Sequence, residues 1–330
     1  MSNLLASAAF LTQAAVAPAP HPSPWQFLIW VIVPYAALAI FVFGFCYRVV
    51  RWAWTPVPFR IPTTCGQQRS LPWIKPARLD NPSTGAGVAA RMALEILLFR
   101  SLFRNTRPEL HQQRYLYGES KGLWLGALAF HWALLVIVLR HLSLLVQPVP
   151  GWVVKLTAMD GCLQAGMPPV YISDMVVAVA GIYLLFRRWR DPMVRYLSRW
   201  TDYFALLLLL GIAISGMLMR YWVRVDLVAV KQLALGLSTF HPIVPAGLNA
   251  IFLVHLMLIC MLAVYFPFGK LMHMGGVFLS PTRNLANNSR ARRHVNPWNA
   301  PVKTHTYTEW EHEYRDKIKA AGIPLDEAKS

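Results

Sequence analysis

The feature that most constrains this chain is a set of apolar stretches long enough to cross a lipid bilayer. A transmembrane helix needs about 20 predominantly apolar residues to span roughly 30 Å of hydrocarbon. Five stretches approach this length, residues 25–49, 123–145, 172–186, 203–222 and 248–268, of which the third is short and must extend into its flanks. They are too continuously apolar for barrel strands, in which apolar and polar residues alternate. The sequence therefore predicts an all-α integral membrane helical bundle of five transmembrane helices.

The composition agrees with a membrane location. Charged residues make up 14% of the chain, against about a quarter in soluble domains, and the mean hydropathy is +0.40. The net charge of +17 would also fit nucleic-acid binding. The basic residues, however, follow the ends of the apolar stretches, where anionic lipid headgroups attract them. We therefore interpret the charge as topology and contact with membrane lipid, and we expect no nucleic-acid partner.

The distribution of Lys and Arg predicts the orientation, because cytoplasmic connections collect positive charge. The connections after the first and third stretches and the tail after the fifth are strongly basic, whereas residues 1–24 contain no Lys or Arg. We therefore expect the N-terminus outside and the C-terminus in the cytoplasm, in a multi-pass protein of the cell inner (cytoplasmic) membrane. Residues 1–24 then form an extracytoplasmic lead, residues 25–270 the membrane domain with a cytoplasmic loop at 50–122, and residues 271–330 a cytoplasmic tail.

Three shorter segments outside the predicted spans have helical character. Residues 88–103 and 223–239 carry apolar residues at helical spacing interrupted by charges, which is typical of helices on a membrane surface, and residues 309–321 predict a short helix in the tail. We interpret the tail as an arm that docks on a cytoplasmic partner, with Asn296-Pro297-Trp298 as an aromatic anchor. A disordered tail is the alternative for this segment, and a cleaved signal peptide over residues 4–16 is the alternative for the lead.

The four cysteines carry little chemical signal. Cys46, Cys65, Cys162 and Cys260 are scattered, and the sequence contains no Cys-x-x-Cys motif. This pattern argues against iron–sulfur clusters, zinc sites and covalently attached c-type haem in this chain.

Histidines in the second and fifth stretches carry the clearest signal. His131 and His141 are ten residues apart in the second stretch, which is about 15 Å along a helix. His241 and His255 lie at the fifth stretch, fourteen residues apart. Because these two helices run antiparallel, we expect His131 to meet His255 on the inner side and His141 to meet His241 on the outer side. Two pairs of neutral imidazoles are the axial ligands that two b-type haems require, so the sequence predicts two haem b.

Other functions remain open for these histidines. An intramembrane histidine also serves as a packing residue or a proton relay, so the rival classes are a histidine-based proton or ion transporter and a pure membrane anchor. A transporter needs further charged residues at mid-membrane, which the spans nearly lack, and an anchor needs no paired histidines. Arg140 and Arg220, near outer span ends, are predicted to contact haem propionates, with snorkelling to headgroups as the alternative. His273, just beyond the fifth stretch, is interpreted as an interfacial residue.

A family resemblance rests on the same residues. FHWALLVIVLRH in the second stretch, the TFH and VH motifs at the fifth, and the closing FPFGKLMH resemble the cytochrome b (gamma) subunit family of respiratory nitrate reductase, over roughly residues 123–273. In that family these histidines are the axial ligands of two b haems, one near each membrane face. Within the family, the tail VFLSPTRNLANNSRARRHVNPWNAP is similar to that of the DsrM-type membrane cytochrome of the Dsr complex, which is associated with sulfite reduction.

The resemblance implies a respiratory electron-transfer subunit. Electrons would pass between menaquinone or menaquinol, as exchangeable substrate, and a cytoplasmic heterodisulfide-reductase-like iron–sulfur subunit, in dissimilatory sulfur metabolism. A periplasmic multihaem cytochrome c and an iron–sulfur subunit would be further partners. A gamma-type cytochrome b of a nitrate or heterodisulfide reductase-like complex is the alternative within the same class, and the direction of electron flow is left open.

The chain departs from the family pattern at two places. The interval between His241 and His255 is shorter than in the family. At the start of the third stretch, where the nitrate reductase relatives carry a quinone-associated Lys, this chain has Asp174 in YISDMVV. We expect Asp174 to be the catalytic residue that exchanges quinol protons near the outer haem. The alternative is that Asp174 caps the free N–H groups at the start of a helix.

Overall fold

The computed structural model describes residues 22–55, 69, 71, 73–75, 77–111, 114–163, 168–279, 284–288 and 303–326, with the backbone alone at 107–111 and 114–116. The signal-peptide alternative at residues 4–16, Cys65 and the predicted anchor Asn296-Pro297-Trp298 lie outside the described residues.

Helices dominate the described chain. In chain order they are α1 (Pro24–Ala53), α2 (Gly85–Leu98), α3 (Arg100–Phe103), α4 (Lys121–Leu145), α5 (Gly151–Asp160), α6 (Ile172–Arg190), α7 (Pro192–Leu197), α8 (Trp200–Val223), α9 (Leu227–Ser238), α10 (Ala250–Phe268), α11 (His273–Leu279) and α12 (Tyr307–Ala320). A π-helical turn interrupts α1 at Leu28–Ile32 and ends α8 at Met219–Val223, and a 3-10 turn, Lys270–Met272, precedes α11. Strands β1 (Thr106–His111) and β2 (Arg114–Glu119) form one antiparallel hairpin between α3 and α4.

Among the described residues, four helices, α1, α4, α8 and α10, are long and apolar enough to cross a membrane. They coincide with the first, second, fourth and fifth predicted stretches, so the all-α membrane fold is confirmed. The third stretch lies within α6, which is 19 residues long and carries Asp174 in its first turn and three arginines in its last turn. These charges lower its hydropathy, and the count of five spans stays a prediction. We call the end of the bundle where α4 begins and α10 ends the inner end, and the opposite end the outer end.

Close packing of α6 against α4 and α8 forms one core of the bundle. Phe130 and Ala133 of α4 pack against Val177 and Ala180 of α6, and all four are buried. Gly181 permits this approach, because a Cβ added there would lie 2.6 Å from Leu210 Cδ2 and 3.3 Å from Phe130 Cε2. Small residues at such crossings let membrane helices pack by close van der Waals contact.

A second core joins α1, α9 and α10 near the outer end. Trp30 and Val31 of α1 cluster with Val230 and Leu233 of α9 and with Phe252 of α10. The Trp30 and Phe252 rings stack with centroids 5.6 Å apart. The surface helix predicted at residues 223–239 is therefore present as α9, and its apolar face is buried against the bundle.

Backbone and amide hydrogen bonds join the tail to the loop before α2 at the inner end. Asn287 donates from its backbone N–H to Pro82 O at 2.7 Å and from Nδ2 to Asn81 Oδ1 at 2.5 Å, and the Asn81 side chain is buried. The preceding residue, Asp80, forms ion pairs with Arg100 of α3 and with Arg104, the residue after it. The segment after α11, the loop at residues 80–83 and α3 are therefore one connected unit.

Replacement of Gly181 by Val tests the packing of α4, α6 and α8. The added side chain would overlap Leu210 and Phe130, and overpacking of this kind costs about 1–3 kcal/mol. We expect Gly181→Val to lower the thermal unfolding temperature of the purified protein in detergent, whereas Val179→Leu, at a position on the same helix that is 65% exposed, should leave it unchanged. Equal melting temperatures for wild type and Gly181→Val would contradict the close helix contact.

Candidate functional site

The outer ends of α4 and α10 place His141 and His255 at the same depth. His141 lies four residues before the end of α4, and His255 lies five residues after the start of α10, which are axial offsets of about 6 Å and about 7.5 Å. The structure therefore places both imidazoles at the outer end of the bundle.

The inner histidine His131 lies beside His273. Their ring centroids are 6.1 Å apart and the rings are nearly perpendicular, at 79°. His273 begins α11 after the 3-10 turn Lys270–Met272, and α11 packs on α1 at Gly275, where an added Cβ would lie 3.0 Å from the Phe45 ring. This packing turns the chain back toward the bundle beyond the end of α10.

The predicted pairing of the histidines differs from this arrangement. His131 was expected to meet His255, and His141 to meet His241, but in the structure His131 contacts His273 and His141 lies at the depth of His255. His241 lies in the irregular segment between α9 and α10 with an exposed side chain. The reason for the difference is depth, because α10 begins only at Ala250 and His255 therefore belongs to the outer half of the helix.

Hydrogen bonds fix the orientation of all four paired imidazoles through Nδ1. The Nδ1 atoms lie 2.8 Å from Ala127 O for His131, 2.7 Å from Ile137 O for His141 and 2.9 Å from Lys270 O for His273. A carbonyl oxygen only accepts, so Nδ1 carries the proton, and in the neutral imidazole Nε2 then keeps its lone pair. A histidine that ligates a metal through Nε2 has this arrangement.

Ser215 of α8 gives His255 the same tautomer. The Ser215 hydroxyl donates to Ile212 O at 3.0 Å and lies 2.8 Å from His255 Nδ1. Because the hydroxyl has one proton, it accepts from the His255 Nδ1–H. The adjacent Gly216 leaves room for the ring, since an added Cβ would lie 3.4 Å from His255 Cε1.

The outer end contains a buried charge cluster around Arg140, the residue before His141. The Arg140 Nη2 donates to Asp174 Oδ1 at 2.6 Å, and its Nε lies 3.0 Å from Asp160 Oδ2, an ion-pair contact without hydrogen-bond geometry. Asp160, the last residue of α5, also accepts from the Ser173 backbone N–H at 2.8 Å and hydroxyl at 2.7 Å. Arg140 and both carboxylates are buried, so the cluster joins α4, α5 and α6.

The remaining contact of Asp174 is with Tyr221 at the end of α8. The Tyr221 hydroxyl donates to Asp174 Oδ2 at 3.0 Å and accepts from the Tyr171 backbone N–H at 3.0 Å. The helix N-cap position of α6 is Tyr171, and Asp160, not Asp174, accepts from the first-turn N–H of Ser173. The capping alternative for Asp174 is therefore wrong, and its carboxylate instead binds Arg140 and Tyr221.

The two arginines proposed for propionate contact differ in their surroundings. Arg140 has its charge satisfied by two aspartates, as described above, and its guanidinium lies 3.7 Å from the Tyr171 ring centroid. Arg220 lies on the same ring at 3.8 Å and donates from Nη2 to Pro169 O at 3.2 Å. The Arg220 Nε is buried and has no hydrogen-bond partner among the described residues. Arg220 thus keeps a free Nε–H donor for an anion. In Arg140 the corresponding Nε lies beside Asp160, so a propionate would have to compete with that carboxylate.

The donor set fits a b-type haem. Each histidine pair offers two neutral imidazoles with free Nε2 atoms, which is the number of axial ligands that one haem iron takes from the protein. Within the described ranges no group of three or more His, Cys, Asp or Glu side chains is placed to bind a metal ion alone. The orphaned Nε of Arg220 provides a buried donor of the kind that a propionate uses.

Sequence reasoning missed several residues of these sites, Tyr221 of α8 among them. His273 was assigned to the interface because it follows the fifth stretch, although FPFGKLMH was part of the recognised pattern. Asp160 and Ser215 were not identified, because a single Asp after a polar connection and a single Ser in an apolar run have no distinctive spacing. An unpaired intramembrane arginine at position 140 was the available signal for a nearby carboxylate, since such a charge needs a partner.

Comparison with known proteins gives consistent matches. The family described as nitrate reductase gamma subunit matches residues 84–292. A protein of Archaeoglobus fulgidus named Hdr-like menaquinol oxidoreductase cytochrome b-like subunit is 48% identical over 275 residues, covering 81% of this chain and 82% of that protein. A protein of the same name from Archaeoglobus profundus is 41% identical over 277 residues, covering 82% of each. With its helical membrane fold and with matches of this extent, the chain belongs to the nitrate reductase gamma-subunit family.

Proposed function

We propose that this chain is the membrane cytochrome b subunit of a menaquinol oxidoreductase complex, in which His131 with His273 and His141 with His255 hold two b haems. The observation that carries the proposal is the orientation of the four imidazoles, each with Nδ1 hydrogen bonded and Nε2 free. Haem b, when bound, supplies a one-electron redox centre. The names of the two Archaeoglobus relatives support the assignment to menaquinol.

The groups that hydrogen bond to the imidazole Nδ1 atoms determine how firmly each proposed ligand is held. Lys270, whose carbonyl accepts from His273, is itself fixed by an ion pair of 2.6 Å with Asp202 at the start of α8. His255 is held by Ser215, and the α4 histidines are held by carbonyls one turn earlier in the same helix. Such partners orient a metal-binding imidazole and raise its basicity.

Menaquinol is proposed to react at the outer end, beside His141. Oxidation of one menaquinol to menaquinone releases two electrons and two protons, so the site needs groups that accept protons. The Tyr221 hydroxyl and Asp174 carboxylate form a ready relay, because Tyr221 already donates to Asp174 Oδ2. A quinol hydroxyl would pass its proton to the Tyr221 oxygen as Tyr221 passes its own proton to Asp174, which regenerates the phenol.

Asp160 allows Asp174 to take up that proton without leaving a buried charge unpaired. Arg140 contacts both carboxylates, and a buried charge without a partner is costly. When Asp174 becomes neutral, Asp160 still balances Arg140. The cluster of one arginine and two aspartates is thus suited to gain and release one proton.

The inner pair is proposed to face the partner that exchanges electrons on the cytoplasmic side. His273 lies at the inner end, where the tail and the loop at residues 80–83 are joined by Asn287. The partner proposed here is a heterodisulfide-reductase-like iron–sulfur subunit, consistent with the "Hdr-like" description of the relatives. A periplasmic multihaem cytochrome c, a further iron–sulfur subunit and a role in dissimilatory sulfur metabolism are proposed from the resemblance of the tail to the DsrM-type cytochrome.

Substitution of single histidines tests the pairing. Alanine at His131 or His273 should remove one low-spin haem signal, and alanine at His141 or His255 should remove the other, because each haem loses one of its two axial ligands. His241→Ala is the matched control and should keep both signals. Electron paramagnetic resonance of the oxidised, purified variants measures this. Loss of the same signal from His141→Ala and His241→Ala, with His255→Ala and His131→Ala sharing the other, would restore the pairing first predicted from the sequence.

Substitution of Asp174 tests the quinol site. Asp174→Asn keeps the size of the side chain but removes the charge, and it should slow reduction of the protein by a menaquinol analogue at least about tenfold, since a positioned base contributes on the order of 10²- to 10⁴-fold. Tyr221→Phe should slow it as well. Rapid mixing with absorbance detection measures the rate, and unchanged haem absorption shows that the ligands are intact.

Asp226→Asn is the control for this experiment, because Asp226 only caps α9 through the backbone N–H groups of Val228 and Ala229. An Asp174→Asn variant that is reduced as fast as wild type would remove Asp174 from the mechanism.

A further inference from the structure

A bulky residue lies in a strained backbone conformation between α2 and α3. Phe99 has φ 49° and ψ 47°, which is the left-handed region, and it ends α2 at the position where helices favour Gly. Any residue with a Cβ loses free energy in this conformation, and a large aromatic residue is unusual there. Strain of this kind persists where the surrounding structure enforces it, and it is concentrated at functional sites.

Two tryptophans of α4 hold the chain at this point. The Trp132 indole N–H donates to Leu97 O at 3.0 Å, and the Trp124 indole N–H donates to Leu98 O at 2.7 Å. These carbonyls belong to the last turn of α2, whose oxygens have no partner within the helix. The end of α2 is therefore attached to the same helix that carries His131.

The following turn is fixed independently. Ser101 donates to the Glu95 carboxylate from its backbone N–H, at 3.2 Å, and from its hydroxyl. Arg100 of α3 and Arg104, the residue after α3, form ion pairs with Asp80. Residues before and after Phe99 are thus both anchored, and the chain must make its left-handed bend at Phe99.

The bend places the Phe99 ring on His131. The ring centroids are 5.1 Å apart with an interplanar angle of 80°, an edge-on contact, and His273 contacts the same imidazole at 6.1 Å. Phe130 also contacts His131, at 5.7 Å, but it is the neighbour of His131 in the chain. Phe99 is therefore the contact that the loop between α1 and α4 supplies to the inner site.

We propose that Phe99 is a positioning residue for the inner site, which fixes the plane of the His131 imidazole and shields that side of it from water. The proposal rests on the proposed function, since it concerns a histidine assigned as haem ligand. The orientation of axial imidazoles and the polarity around them determine the spectrum and the reduction potential of a b-type haem. Removal of the ring should lower the potential of the inner haem, because water stabilises the oxidised form, which has the greater positive charge.

Three variants separate the ring from the backbone. Phe99→Gly removes the ring and accepts the left-handed conformation without strain, and Phe99→Leu keeps apolar bulk but cannot make the edge-on contact. Phe103→Ala is the matched control, because Phe103 lies four residues later, at the end of α3, and its ring contacts Trp124, at 4.9 Å. Redox titration followed by absorbance gives each haem potential, and electron paramagnetic resonance gives the g-values. The signals are assigned with His273→Ala and His255→Ala.

We expect Phe99→Gly to shift the inner g-values and lower the inner potential while the outer haem stays as in wild type. Phe99→Leu should shift the inner g-values with a smaller fall in potential, and it decides the question if Phe99→Gly does not fold. Phe103→Ala should change neither haem. Wild-type inner g-values in the Phe99 variants, or an equal shift in Phe103→Ala, would overturn the positioning role. A wild-type protein without b-type haem would instead overturn the proposed function itself.

Discussion

The burial of Arg140 is the constraint on which the outer half of this protein depends. An arginine at the level of the bilayer must be paired, because an isolated charge there is costly, and Arg140 is paired with one aspartate from α5 and one from α6. The Asp174 carboxylate also accepts a hydrogen bond from the Tyr221 hydroxyl of α8. Three helix ends are thereby held around the residue that precedes His141. The cluster combines two roles, since the contacts that hold the helices together also form the proton relay that we propose for quinol oxidation.

The histidine sites are determined by the depth of each residue in the bundle. His141 and His255 both lie within about one and a half helical turns of the outer ends of their helices. A change of side-chain conformation could not bring His141 into contact with a residue at the inner end. At the inner end the proposed second ligand lies beyond α10, where the turn at residues 270–272 and the packing of α11 on α1 return His273 to the bundle. The proposed partners of the two α4 histidines thus lie near the start of α10 and at the start of α11.

The membrane fold and the positions of both histidines on α4 could be predicted from sequence, because apolar length and a ten-residue histidine interval depend only on local helix geometry. The neighbours of these histidines could not, because the start of α10 at Ala250 depends on the irregular segment before it, and a continuous helix from residue 241 would have given the other pairing. The role of Asp174 as an ion-pair partner also depended on tertiary structure, since Asp160 lies on a separate helix. Apolar pattern alone predicts neither the break at Phe99 nor its contact with His131.

Four histidines, two on α4, one on α10 and one at the start of α11, are proposed to hold two haems, and the haem content of the purified wild-type protein tests this most directly. Pyridine-haemochrome spectra distinguish b-type from c-type haem and give its amount relative to protein. Two bis-histidine sites predict about two haem b per chain, because each iron takes two axial ligands from the protein. A correctly folded protein that binds no haem b, or whose haem is covalently attached, would contradict this account.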